Sequence, residues 1–208
     1  MHRVKKGDAN IDRARSKVVS WFLQESRETA GDVVMMVDAD NSWVPGDLSH
    51  IAKRALEYNA VVGGIYPKRA FNQGVAMRLA EGATGVYTIG QDALISAEFV
   101  GTGFIAIPRT ILEVLSKTLE VCIGTDSDPH STYQPFFMPY VLRTKLGNEY
   151  PTDDQAFCAR VREAGFDVFA STYPRLFHNG YYSFKLTDSC IEPPPYRDLE
   201  IDVGNNGY

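Results

Sequence analysis

Cysteine is scarce and scattered. Cys122, Cys158 and Cys190 stand far apart and form no CxxC pair, so neither a zinc site nor a disulfide framework is indicated. A reducing, cytoplasmic setting is the expectation. No apolar run approaches the ~20 residues a membrane helix needs. The amino end, MHRVKKG, is basic but leads into polar sequence, unlike a signal peptide. Strongly basic stretches are missing too. With 21 Lys and Arg against 26 Asp and Glu the net charge is −5, which argues against nucleic acid as the main partner and suits a site that attracts cations. No internal repeat is visible.

What remains is an ordinary globular composition, 44% hydrophobic and 23% charged over 208 residues. That length predicts one domain with a real core. The expected division is a domain over 1–184 and an extended tail over 185–208, which holds three prolines and a Gly/Asn-rich end.

The most informative stretch is Val33 to Pro45, VVMMVDADNSWVP. Five apolar residues without alternation predict a central strand buried on both faces of a mostly parallel sheet. Asp38 and Asp40 follow, and would point the same way if the strand continued through them. Two carboxylates at the carboxyl end of such a strand lie where open α/β sheets bind ligands. Like charges that close repel unless something positive separates them. A divalent cation with oxygen ligands, Mg²⁺ or Mn²⁺, meets that need. The plainer alternative is a turn into the next helix, since Asp, Asn and Ser are common in turns.

Around this stretch the expected order is helix, strand, helix, strand: a helix over 10–28, the strand from Val33, a helix opened by Pro45, and a strand over 60–66. That alternation predicts a parallel α/β sheet with flanking helices. Weaker strand signals at 75–79 and 86–89 suggest a hairpin. The apolar run over 98–107 is broken by Gly101 and Gly103, and Pro108 introduces a further helix. Later, Thr152-Asp153-Asp154-Gln155 fits a capping box, with Gly165 placed just past that helix's end. A short strand over 167–170 and the segment LFHNG around His178 follow.

As an ordered set these residues resemble the GT-A-fold nucleotide-sugar glycosyltransferases. The matching features are Ala14-Arg15 on the helix before the strand, the D-x-D of Asp38-Ala39-Asp40, the acid pair Asp153-Asp154 opening a helix that ends at Gly165, and His178 after the last strand. The family's first strand–helix units, which hold the nucleotide base, have no counterpart. The resemblance therefore implies a GT-A sheet with an exposed edge, one that a second copy in a homo-oligomer would cover.

The resemblance also implies chemistry. The donor would be a nucleotide-diphosphate sugar and the acceptor a carbohydrate or other hydroxyl. A divalent cation, Mn²⁺ (or Mg²⁺), would bridge the phosphates. Asp40 and His178 would be direct ligands, with Asp38 on the ribose or a metal-bound water. Arg15 would pair with phosphate or with an acid of the site. Asp154 would be the catalytic base of an inverting enzyme, supported by Asp153, although acids in a first helical turn also serve its dipole without catalysis. Gly101 and Gly103 would line the donor-sugar pocket, or else kink a strand. Trp43, Tyr133, Phe136, Phe137, Tyr181 and Tyr182 are candidates to stack on sugar rings, although most aromatics are core residues. Two alternatives stand beside this reading. One is a haloacid-dehalogenase-type phosphatase with Asp38 as nucleophile; Ser42, the preceding helix and His178 speak against it. The other is a degenerate, non-catalytic domain that binds or assembles.

Overall fold

The structure, a computed structural model, describes residues 10–71, 74–124, 132–145, 147–189 and 200–203. The basic amino end, Cys190 and most of the expected tail lie outside these residues. Cys122 and Cys158 are free thiols. Among the described residues no helix is long and apolar enough to cross a membrane.

Helix α1 (Ile11–Gln24) and the one-turn α2 (Arg27–Ala30) come first. Strand β1 (Val33–Val37), short β2 (Asn41–Ser42), α3 (Asp47–Tyr58) and β3 (Val61–Gly64) follow. Then come β4 (Met77–Leu79), β5 (Gly85–Thr88), β6 (Leu94–Val100), β7 (Phe104–Pro108) and α4 (Arg109–Ser116). Short strands β8 (Cys122–Ile123), β9 (Thr132–Tyr133), β10 (Leu142–Thr144) and β11 (Gly147–Glu149) precede α5 (Asp153–Glu163). The last elements are β12 (Val168–Ser171), β13 (Phe177–His178), a 3₁₀ turn at Leu186–Ser189 and β14 (Glu200–Val203).

The protein is mixed α/β around a six-stranded sheet of order β1-β7-β3-β12-β6-β4. The expected mostly parallel sheet is corrected here. Only β3 and β12 pair in parallel, and the other neighbours are antiparallel. Strand β1 is also not central: among the described residues it has β7 on one side and no neighbour on the other. Its unbroken apolar run has a different cause. Val34 and Met36 pack into one core cluster, while Val33, Met35 and Val37 pack against a second. Both faces are covered although, among the described residues, one edge has no neighbour.

Strand β7 shows the same division. Side chains alternate across a strand, so Ile105 and Ile107 join Val19, Ile111, Leu112, Phe157 and Val161 on the α1, α4 and α5 side. Phe104 and Ala106 join Ile51 and Ala55 on the α3 side. Each large side chain buried this way stabilises the fold by about 1.5–3 kcal/mol relative to exposure.

Local chemistry explains several departures from expectation. The first helix stops at Gln24 because Ser26 starts a new turn, its side chain accepting the Thr29 N–H at 3.3 Å. Pro45 stays outside α3. Gly46 occupies the cap position, and Asp47 accepts the Val44 N–H at 3.0 Å. The expected hairpin does not form: β4 pairs with β6, and β5 pairs with β14. The stretch after 184 is not extended throughout, since Leu186 packs into the core. At the far end of α5, Gly165 takes φ +85°, the left-handed conformation that favours glycine past a helix.

Candidate functional site

Because β7 runs antiparallel to both β1 and β3, those two strands share a direction, and their carboxyl ends lie on one side of the sheet. The site forms there. After Val37 the chain does not continue as strand. Asn41 donates its N–H to the Asp38 carbonyl at 3.0 Å and closes a turn. The expectation that the strand would continue through both acids of the D-x-D is therefore not met. Each has its own partners.

Asp38 belongs to Arg15. One Nη of Arg15 spans both Asp38 oxygens at 2.8 and 3.0 Å, while the other donates to Asp153. The Arg15 side chain is only 12% exposed. Burial works against its charge, but Asp153 and Asp38 outweigh burial and raise its pKa above the ordinary arginine value. Of the two expected partners for Arg15, the acids hold its guanidinium. It ties the strand end to the start of α5.

Asp40 belongs to a different group. Strand β13 pairs with β2, and the Asn179 N–H donates to the Asp40 carbonyl at 2.6 Å. This pairing brings His178 Nε2 to 3.4 Å from Asp40 Oδ2. Arg69 reaches the same oxygen at 3.1 Å. The His178 Nδ1 lies 3.0 Å from the Pro67 carbonyl, which can only accept, so Nδ1 carries the proton. In neutral His178 the Nε2 lone pair then faces a carboxylate oxygen. The Asp40 oxygen already has the Arg69 guanidinium against it, and a carbonyl behind the far nitrogen of His178 is how ligating histidines are oriented. An imidazole–carboxylate donor set suits Mn²⁺ better than Mg²⁺, which prefers oxygen. Among the described residues no group of three or more His, Cys, Asp and Glu is arranged to hold a metal by itself.

Asp154 lies beside Asp153 in the first turn of α5. Gln155 reaches back as expected and accepts the Thr152 N–H at 3.0 Å. Asp154 accepts from the Thr152 hydroxyl and from the Gln155 N–H at 2.8 Å. Burial raises its pKa above the usual carboxylate range and Asp153 adds to the rise, against the Thr152 and Gln155 hydrogen bonds and the Arg15 charge.

Tyr66, at the carboxyl end of β3, is the residue the sequence reading missed. Its ring meets His178 edge-on with centroids 5.6 Å apart. Its hydroxyl accepts the Gly103 N–H at 3.0 Å. Burial raises its pKa, and the nearby Asp38 and Asp154 carboxylates raise it further. The signal available was its position, the residue after a buried AVVGGI run. Asn41 was missed as well. It donates to the Gly103 carbonyl at 2.8 Å, and its buried Oδ1 has no hydrogen-bond partner among the described residues.

Gly101 and Gly103 act by close approach. A Cβ on Gly103 would lie 2.5 Å from Asn41 Nδ2 and 2.7 Å from Tyr66 Oη, and one on Gly101 would run into the same hydroxyl. The pair seats Tyr66. Overpacking of this kind costs about 1–3 kcal/mol, so Gly103→Ala should lower the urea midpoint without changing the slope. An unchanged midpoint would mean that Tyr66 and Asn41 move aside freely.

The aromatic candidates divide by burial. Tyr133, Phe136 and Phe137 are core residues and are corrected as sugar platforms. Trp43, Tyr181 and Tyr182 are exposed. Tyr182 clusters with Phe71 and Phe184 at centroid distances of 5.0–5.3 Å, and Phe71, itself exposed, was not foreseen.

No family model matches this sequence, and no curated protein matches it. In three dimensions the chain is similar to the crystal structure of A197 from STIV, with a TM-score of 0.52 and 15% identity, over 86% of this chain and 73% of that one. At that identity the likeness is one of fold.

Proposed function

We propose that the chain is a metal-dependent glycosyltransferase of GT-A type, moving a sugar from a nucleotide-diphosphate sugar to an acceptor hydroxyl. The observation that carries this reading is the approach of His178 Nε2 to Asp40 Oδ2 at 3.4 Å, from opposite ends of the chain.

Asp40 and His178 would hold the cation, and Mn²⁺ or Mg²⁺ bound there supplies positive charge to the departing diphosphate. Few protein ligands suit a cation that completes its shell with substrate phosphates and water. Arg15 holds Asp38 and Asp153 in fixed positions. Asp38 keeps free lone pairs for ribose hydroxyls or a metal-bound water. Asp154 takes the proton of the attacking acceptor hydroxyl, and its raised pKa makes it a stronger base than an ordinary carboxylate. The Arg15 clamp on both Asp38 oxygens counts against the phosphatase alternative, whose nucleophile would be that carboxylate.

Calorimetric titration with UDP and GDP, with and without Mn²⁺, tests the reading. The expected result is nucleoside diphosphate binding that requires Mn²⁺ and weakens at least roughly tenfold in Asp40→Ala and His178→Ala. Equal binding without the metal, or parent-like binding in both variants, would remove this function. No heat with either nucleotide would favour the degenerate, non-catalytic alternative.

A further inference from the structure

Arg69 sets a positive charge against Asp40. Its Nη1 is 3.1 Å from Asp40 Oδ2, the same oxygen that faces His178 Nε2. We infer that Arg69 is a built-in counter-ion, competing with the divalent cation for Asp40 and passing to the diphosphate when that cation binds. The inference rests on the metal site proposed above.

Three observations support it. First, Arg69 reaches Asp40 from the solvent side: its side chain is 55% exposed, against 12% for Arg15. A long exposed stem can swing, whereas the buried Arg15, held by two acids, cannot leave. Second, the segment that carries Arg69 is anchored close by. Pro67 bridges to Val75, and the Lys68 N–H donates to the Gly74 carbonyl at 3.1 Å. Pro67 also supplies the carbonyl that orients His178. The guanidinium can therefore move while its backbone keeps the imidazole aimed. Third, the chemistry is complementary. A dication on Asp40 repels a guanidinium on the same oxygen, and a guanidinium so released is a good bidentate donor to phosphate. No covalent step is involved, only an exchange of ion partners.

The exchange makes metal binding weak in the absence of diphosphate and cooperative in its presence. Mn²⁺ affinity of the whole chain, read by electron paramagnetic resonance with and without UDP, tests it. Arg69→Met should bind Mn²⁺ alone roughly two- to fivefold more tightly, the range set by a solvent-exposed ion pair. The same variant should bind UDP with Mn²⁺ about tenfold more weakly, as expected for losing one charged hydrogen-bond donor. Arg69→Lys keeps the charge without the fork, so parent-like Mn²⁺ affinity with weakened UDP binding is expected. Should Arg69→Met bind Mn²⁺ no more tightly than the parent, the competition does not exist. Should it bind UDP as the parent does, the transfer to diphosphate does not exist. If instead the parent itself shows no Mn²⁺-dependent UDP binding, the underlying metal site fails, a result distinct from either.

Discussion

Asp154→Asn is expected to lower nucleotide-sugar turnover ~10²–10⁴-fold, the usual contribution of a positioned base, while leaving Mn²⁺-dependent diphosphate binding intact. The amide keeps an oxygen to accept from the Thr152 hydroxyl and the Gln155 N–H, so the cap of α5 survives and only proton acceptance is lost. The pH dependence supplies a second readout. Burial holds the Asp154 carboxyl protonated to higher pH than an ordinary carboxylate, so the acid limb of kcat/KM should lie above the usual value of about 4. Stability should move the opposite way. The folded protein keeps the Asp154 proton that the unfolded chain has already released, so stability falls as pH rises from the ordinary carboxylate range up to the raised value. Asp154→Asn removes that loss. It should be more stable than the parent at neutral pH and equal to it below the carboxylate range. Turnover within threefold of the parent, or a product of retained configuration, would take the base role away from Asp154.

The limits of sequence reading follow from what each signal reports. An unbroken apolar run such as Val33–Val37 reports two covered faces and nothing about neighbours. The helices on both sides of β1 were therefore legible, and its edge position and antiparallel partner were not. The capping box of α5 is local chemistry over four residues, and Gln155 makes its predicted bond. The pairings of β5 with β14 and of β4 with β6 depend on contacts distant in the chain, which periodicity does not encode. Asp40 stood out as an acid just past an apolar run, while His178 was reached only through the resemblance to the GT-A family. Tyr66 and Arg69 were not legible, because a tyrosine ending a strand and an arginine in a loop are ordinary until the fold places them. Gly101 and Gly103 stood out as breaks in a strand, but only the structure shows that Tyr66 fills the space they leave.

Replacing Arg15 with methionine is expected to cause the largest loss of stability of any single change in the site. The side chain is nearly buried, and its two nitrogens neutralise acids from distant segments, Asp38 after β1 and Asp153 at the start of α5. Methionine fills much of the volume but leaves two carboxylates facing each other without a counter-charge. Removing one partner of a buried ion pair costs about 3–5 kcal/mol. Asp38 is 38% exposed, and solvent screening of its charge places the expected loss near the lower end, about 3 kcal/mol. For a chain of this size that corresponds to a fall in Tm of roughly 6–12 °C. The cause can be separated from lost packing. Arg15→Met combined with Asp38→Asn and Asp153→Asn removes the stranded charges as well as the arginine, and neutral replacement of a whole buried ionic cluster is often tolerated. The triple variant should therefore recover most of the lost stability, while the single variant should improve as added salt screens the repulsion. A triple variant no more stable than Arg15→Met would assign the loss to packing around α1 instead of to the two acids.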